Sequence, residues 1–433
     1  MKHLAEMIFR RALAAADVRT AFENKVERDG SYLQIRGERF DLHAYREIFA
    51  IAIGKAASAM AEGLQRVLAP DFSLRGVLVV PNIPPHALPE WKIIRAGHPV
   101  PTAESFEAAR AILELLQEAG KDTLVFFLLS GGGSSLVELP LDPGVTLADF
   151  QELHRVLVTC GAPIEEINAV RKHLSAVKGG RLALAAPNAT KITLAITDVP
   201  EGHESALASG PTLPDPTTLA DVAQIARRYA LAEKLPSSVR RLFEPGSLRE
   251  TPKAGDPAFQ RARFMLLLGM HDLFHNTHHA AEAEGFLCVC DNSTDNWPID
   301  RATDELLGQL DAMRKSASGR RVAVIADGEV SSPVTGDGIG GRNSAFVLAC
   351  VPKIAGKNIV VLSAGTDGVD GNSPAAGAIA DGQTLVRAQA MGLDPAAYLR
   401  RSDAYSFFNA LGDAIHTGPT GNNLRDLRLL LHF

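Results

Sequence analysis

The stretch D122-T-L-V-F-F-L-L-S-G-G-G-S-S135 decides how this chain is read. Residues 124–129 are all apolar, with none of the alternation a half-exposed strand would show. They predict a strand covered on both faces, the kind found in parallel α/β sheets. Three glycines follow at once. Glycine loses more backbone entropy on ordering than any other residue, so three together need a steric reason. One reason is a sharp strand-to-helix turn. The other is a ligand lying against bare backbone, because consecutive glycine amides form a concave nest that favours anions and serine hydroxyls add donors. Taken alone, the stretch is compatible with both.

Working outward, runs of the same kind recur at I48–G54, G76–P81, K191–D198, F264–G269, R321–A326 and N358–G365. Helix-like segments such as A103–A119, T146–C160 and D300–S316 lie between several of them. Strands alternating with helices predict right-handed crossovers and an α/β fold of two doubly wound, mostly parallel sheets. Residues 237–262, with E-P-G-S and T-P-K-A-G-D-P and no apolar periodicity, read as a linker between domains 1–236 and 263–433. The first 16 residues, interrupted by Glu6, Arg10 and Arg11, read as an amphipathic helix and not a signal peptide.

The 433 residues are 46% hydrophobic and 22% charged, an ordinary globular composition. A net charge of −6 speaks against nucleic acid or an anionic membrane as partner, and no apolar run is long enough to span a bilayer. A small anionic substrate remains compatible, since a local basic site can sit in an acidic protein. Cys160, Cys288, Cys290 and Cys350 form no C-x-x-C pair, which suits reduced thiols and a cytoplasmic location.

Ligands in such sheets bind at the carboxyl ends of strands, so each loop there is a candidate site wall. Lys55 follows I51-A-I-G54 and is either a ligand-side cation or an ordinary solvated lysine. Ser130, Gly131, Gly132, Gly133, Ser134 and Ser135 form the candidate nest. Asp198 ends the third run as a metal ligand, a proton acceptor or a turn cap, and Gly210-Pro211 marks a rigid loop beyond it. The helix R171-K-H-L-S-A-V-K-G-G-R181 places cations near its end, where the helix dipole favours them in any case. G336-x-G-x-x-G341 has the letters of a dinucleotide fingerprint, but S-S-P-V-T separates it from its strand. Arg342 after it suits phosphate or carboxylate. Asp367 and Asp370, three apart in A364-G-T-D-G-V-D-G371, fit Mg²⁺ or an Asx turn. His271, His275 and His278 share a helix face, readable as zinc ligands or as a cleft lining.

Seven motifs carry a family resemblance: I53-G-K-A-A57, L129-S-G-G-G-S-S135, I167-N-A-V-R-K-H-L-S-A-V-K-G-G-R-L182, A208-S-G-P-T-L-P-D-P-T-T218, G340-G-R-N343, G365-T-D-G-V-D-G371 and H416-T-G-P-T-G-N-N-L-R-D-L427. In this order they resemble the glycerate 2-kinase family, often labelled hydroxypyruvate reductase, whose C-terminal MOFRL domain would span about 320–428. The resemblance implies phosphorylation of D-glycerate at its 2-hydroxyl, or of a related hydroxy acid, with ATP and Mg²⁺, in a cleft between two α/β domains. It leaves a homodimer open. It implies Lys55 and Arg342 as catalytic residues, and the charge demands of phosphoryl transfer add Asp198 as a third. Phosphate would lie on the Ser130–Ser135 nest with Lys178 and Gly210, and metal on Asp198, Asp367 and Asp370. Arg342, Asn343, Ser344, His203, Glu204 and His271 would face the substrate. Three loops depart from the family pattern: His203-Glu204 replaces an acidic pair, Ser344-Ala345 replaces Gln-Glu, and the histidine cluster stands on a normally plain helix. A hydroxy acid other than D-glycerate is therefore open. An NAD(P)H-dependent hydroxypyruvate reductase and a non-catalytic binding protein are the alternatives.

Overall fold

Every side chain of Thr123–Leu129 is buried, as the missing alternation requires. The computed structural model describes residues 1–86, 88–197, 199, 202–244, 246–317, 319–421 and 423–433. They divide into two compact units, one of residues 21–267 and one of residues 1–20 with 268–433.

The unit of residues 21–267 opens with an antiparallel meander of β1 (Val26–Asp29), β2 (Tyr32–Ile35) and β3 (Glu38–Asp41). Its main sheet holds β4 (Glu47–Ile53), β5 (Arg75–Val80), β6 (Trp91–Arg95), β7 (Thr123–Leu129), β8 (Thr190–Ile196) and β9 (Ala262–Leu268), in the order β6-β5-β4-β7-β8-β9. Neighbours from β6 to β8 pair in parallel. Counted along the chain, this is the third-second-first-fourth-fifth-sixth arrangement of dinucleotide-type folds, whose order reverses between its first and fourth strands. Here those strands are β4 and β7. Ile53 pairs with Leu129, so the loops leaving the two strands start side by side. Phe49, Ile51, Ile53, Val125, Phe127 and Leu129 anchor a core beneath the sheet.

The second unit holds β10 (Leu287–Asp291), β11 (Val322–Asp327), β12 (Ile359–Gly365), β13 (Gly377–Asp381), β14 (Ala414–Ile415) and β15 (Asp426–His432), in the order β10-β11-β15-β12-β13-β14. Four of the six strands share one direction. β13 and β15 run against them, and β15 is inserted between β11 and β12. The helix Arg342–Ile354 packs Phe346, Val347, Cys350 and Val351 into the core of this unit.

The expected domain boundaries need two corrections. The helix Lys2–Ala15 belongs with residues 268–433, not with the domain that follows it. Ala5, Ile8, Phe9 and Ala12 give it a fully buried face, and Lys2 pairs with Asp413 at 2.6 Å. Residues 237–262 are no linker either. They lie within the unit of residues 21–267 and feed directly into β9. The segment lacks apolar periodicity because polar contacts hold it: Thr251 Oγ1 donates to Asp215 at 3.0 Å, and Glu250 meets His173 Nε2 at 2.8 Å.

Candidate active site

The loops after β4 and β7 lock together. Ser130 Oγ accepts from the Ala56 N–H at 3.0 Å, and the Lys55 N–H donates to Gly131 O at 2.9 Å. Gly54 has φ +129°, and a Cβ there would lie 2.2 Å from Ser130 Oγ. Gly132 has φ +87°, and a Cβ on Gly133 would lie 2.8 Å from Ala208 Cβ. The glycine run is thus a tight turn. It is also open to ligand, because nothing stands within 4 Å of the Cβ position at Gly131. Lys55 is exposed, with no ion-pair partner among the described residues.

One residue that the sequence did not single out joins this site. His98, in the loop after β6, places Nδ1 3.0 Å from Ser135 Oγ, and its ring and the Lys55 stem both border Gly132. Partial burial, then the Lys55 charge, lowers its pKa from the usual 6.5. Its strand, W91-K-I-I-R95, is short and mixed in polarity, so the apolar signal that marks the other strands is weak there.

On the other side of the nest, Ser134 Oγ lies 2.8 Å from Ser209 Oγ, which donates to Asn168 at 3.4 Å. Gly210, at φ +60°, lets the chain turn so that Gly179 and Gly180 donate to the carbonyls of Ser209 and Gly210. Its role is to fix the loop. Glu204 accepts from the Gly202 N–H, and His203, exposed, starts the turn 204–209. Asp198 lies outside the described residues.

Lys178 does not face phosphate. It is 1% exposed and ion-paired with Glu138, which is 0% exposed and also accepts from Ser175 Oγ at 2.5 Å. Burial lowers its pKa, opposed by Glu138. The rest of this basic helix is equally internal. Lys172 reaches Asp215 at 3.2 Å, and Arg171 lies 3.0 Å from His154 Nδ1. Burial, then Arg171 and Lys178, pushes the His154 pKa down to about 3.

In the second unit, three expected site residues prove structural. Asp370 is 1% exposed and caps the helix Arg342–Ile354. Its carboxylate accepts from the N–H groups of Gly341, Asn343 and Ser344 at 3.2, 2.9 and 2.9 Å, and from Ser344 Oγ at 2.6 Å. Three of these bonds fall on Oδ2 and one on Oδ1, and the buried carboxylate is committed to the helix cap. Ser344 is spent on this cap, and Asn343 is buried, with its Oδ1 accepting from Ser363 Oγ at 2.5 Å. Asp367 is half-buried and uses Oδ1 on the Val369 N–H at 3.0 Å. It fits a Mg²⁺ ion that brings phosphate oxygens and water of its own. Among the described residues no group of three or more His, Cys, Asp or Glu could hold a metal, which also removes the zinc reading of His271, His275 and His278.

Arg342 is partly exposed between two carboxylates, Asp426 at 2.5 Å and Glu329 at 2.6 Å. It lies on the lining of an apolar cavity of about 600 Å³ that Ala345, Leu348 and Ala349 floor. The loop before it is pinned by Gly338 N–H to Arg401 O at 3.1 Å and Ile339 N–H to Asp403 at 3.1 Å. Asp327, which ends β11, was also missed, although it closes its apolar run as Asp198 does. It is fully buried, and neither carboxylate oxygen has a hydrogen-bond partner among the described residues. Burial raises its pKa to about 6, against Arg425 and Arg428, with Asp295 adding to the rise and His271 opposing it.

A dinucleotide-type sheet carrying a glycine-serine nest and a lysine where its strand order reverses defines the class: an α/β enzyme built to bind ligand at strand ends. Comparison with known proteins narrows this. Residues 4–244 match a domain of unknown function, DUF4147, and residues 322–426 match the MOFRL family. The D-glycerate 2-kinase of Thermotoga maritima is 36% identical over 88% of this chain and 89% of its own. The glycerate 2-kinase of Pyrococcus horikoshii is 33% identical over 96% and 94%. A relative in Agrobacterium vitis, 37% identical over 99% and 94%, carries the hydroxypyruvate reductase label. The crystal structure of Thermotoga maritima glycerate kinase superposes with a TM-score of 0.87 at 33% identity, covering 100% of this chain and 99% of that one. This chain belongs to the glycerate kinase family of phosphotransferases. No helix among the described residues is long and apolar enough to cross a membrane.

Proposed function

We propose that this chain transfers the terminal phosphoryl group of ATP, as its Mg²⁺ complex, to the 2-hydroxyl of D-glycerate or to a related small hydroxy acid. The observation that carries this reading is the pairing of Lys55 with the open Gly131–Ser135 nest at the β4/β7 switch point. Phosphoryl transfer needs positioning and charge neutralisation more than covalent help. Bare amides, serine hydroxyls and a lysine with no ion-pair partner among the described residues supply both. In this reading the nest and Lys55 hold phosphate oxygens. Arg342 offsets charge on the transferring group or clamps the substrate carboxylate. Asp367 and Asp198 serve the metal or the attacking hydroxyl. Exposed His203 and half-buried Glu204, beside the nest, are the residues that would select a hydroxy acid. The four cysteines are all free thiols, which supports a cytoplasmic setting.

The test is a panel of three- to six-carbon hydroxy acids scored for ADP release with Mg-ATP. Release with D-glycerate or a close relative is expected, and none with any acid would sink the reading. Arg342→Ala should lose most turnover; near wild-type turnover would remove its role. The reductase alternative predicts NADH oxidation with hydroxypyruvate. The G336–G341 loop speaks against it, since hydrogen bonds to residues 401 and 403 occupy the Gly338 and Ile339 amides.

A further inference from the structure

We infer that His98 is the general base of this phosphoryl transfer, taking the proton of the substrate hydroxyl on Nε2. The inference rests on the kinase reading above and adds a residue to it.

The argument starts from one proton. Ser135 Oγ carries a single hydrogen and lies 3.3 Å from Gly132 O and 3.0 Å from His98 Nδ1. A carbonyl oxygen can only accept, so we assign the serine proton to Gly132. With that assignment Nδ1–H donates to Ser135 Oγ. Nε2 is left with its lone pair, and no hydrogen bond among the described residues uses it. Ser135 thus holds the ring as an orienting group holds a catalytic base.

Two further features suit this role. The ring borders Gly132 beside the Lys55 stem, at the mouth of the nest, where a reacting phosphate would lie. Among the described residues the charged group that faces it is Lys55, from the β4 loop; Ser135 and Gly132 face it from the β7 loop. Both the lysine and partial burial disfavour imidazolium, so the ring stays neutral and able to accept a proton near pH 7.

The step balances simply. The hydroxyl oxygen forms a bond to the γ-phosphorus, and its proton passes to Nε2. The bond from the γ-phosphorus to the bridging oxygen breaks, and ADP leaves with that electron pair. The imidazolium returns its proton to water.

The experiment compares His98→Asn and His98→Ala with the wild type by ADP release across pH 5–9. Asn keeps an N–H near the Nδ1 position for Ser135 and has no base at Nε2. Its kcat should fall roughly 10²–10⁴-fold, the usual range for a positioned base, with KM for ATP within threefold. In the wild type, kcat/KM should rise with pH through the His98 ionisation, below 6.5, and His98→Asn should lack that limb. Near wild-type kcat in His98→Asn, with loss only in His98→Ala, would overturn the base and leave a positioning role. A wild-type enzyme that releases no ADP would instead overturn the kinase reading itself.

Discussion

Replacing Asp370 by Ala separates a helix cap from a metal ligand. In the folded chain one buried carboxylate accepts three backbone N–H groups and the Ser344 hydroxyl. A hydrogen bond to a charged group contributes about 1.5–3 kcal/mol, and losing an N-cap costs about 0.5–2 kcal/mol. The four bonds share one carboxylate, and burial of that charge works against them, raising its pKa. The expected loss is therefore about 2–4 kcal/mol, well short of the sum. Asp370→Asn should also destabilise, because even with its oxygen in the place of Oδ2 its N–H₂ must face the Asn343 N–H. Urea denaturation gives the stability change, and ADP release at varied Mg²⁺ gives the kinetic one. The capped helix begins at Arg342, so kcat should fall about tenfold while the Mg²⁺ requirement stays unchanged. Unchanged stability with a tenfold higher Mg²⁺ requirement would refute the cap and restore the metal ligand.

Lys178→Met leaves Glu138 ionised and unpaired in the interior, which should cost about 3–5 kcal/mol, while Lys178→Met with Glu138→Leu should recover at least half of it. The folded single variant should keep its KM for ATP, and a tenfold rise would return Lys178 to the phosphate site. Gly54→Ala forces a methyl to within 2.2 Å of Ser130 Oγ at φ +129°, so it should displace the nest and raise KM for ATP. Unchanged kinetics would show that the two loops do not act together. Asp327, with its folded pKa raised from 3.8 to about 6, favours folding when protonated. That contribution is complete below pH 4 and is lost as pH rises to about 6, a change of roughly 3 kcal/mol. Asp327→Asn should therefore flatten the stability curve between pH 4 and 7 in urea melts, and an unaltered curve would count against the shift.

The main sheet was legible because its strands are covered on both faces, so T123–L129 and I48–I53 carry an unbroken apolar signal. The nest and Lys55 were legible because strand ends and glycines mark them. The domain boundary was not. Hydrogen bonds from Glu250 and Thr251 tie down residues 237–262, and polar contacts leave no periodicity to read. Asp370 and Lys178 misled for a related reason. A buried carboxylate bound to N–H groups and a buried lysine bound to a carboxylate have the same letters as exposed ligands. Only burial separates them, and a loop sequence does not encode burial. His98 was missed because its partner, Ser135, is 37 residues away and meets it only once β6 and β7 have joined the same sheet.

The two cations proposed for catalysis are prepared in opposite ways. Lys55 has no ion-pair partner among the described residues, so its charge is offered to whatever enters the nest. Arg342 arrives with Asp426 and Glu329 at 2.5 and 2.6 Å. Together they hold its geometry and offset its charge. A guanidinium so paired attracts a resting anion weakly: Asp426 and Glu329 take Nε and Nη2, and among the described residues Nη1 is left for a group whose charge grows during reaction. Lys55 is therefore suited to binding the phosphate donor in the ground state. Arg342 is suited to the transition state, where differential stabilisation accelerates the chemistry. Lys55→Ala should then raise KM for ATP more than it lowers kcat, and Arg342→Ala should lower kcat with little change in KM. The reverse split in steady-state kinetics would show that the carboxylates, by neutralising Arg342, do not set the division of labour.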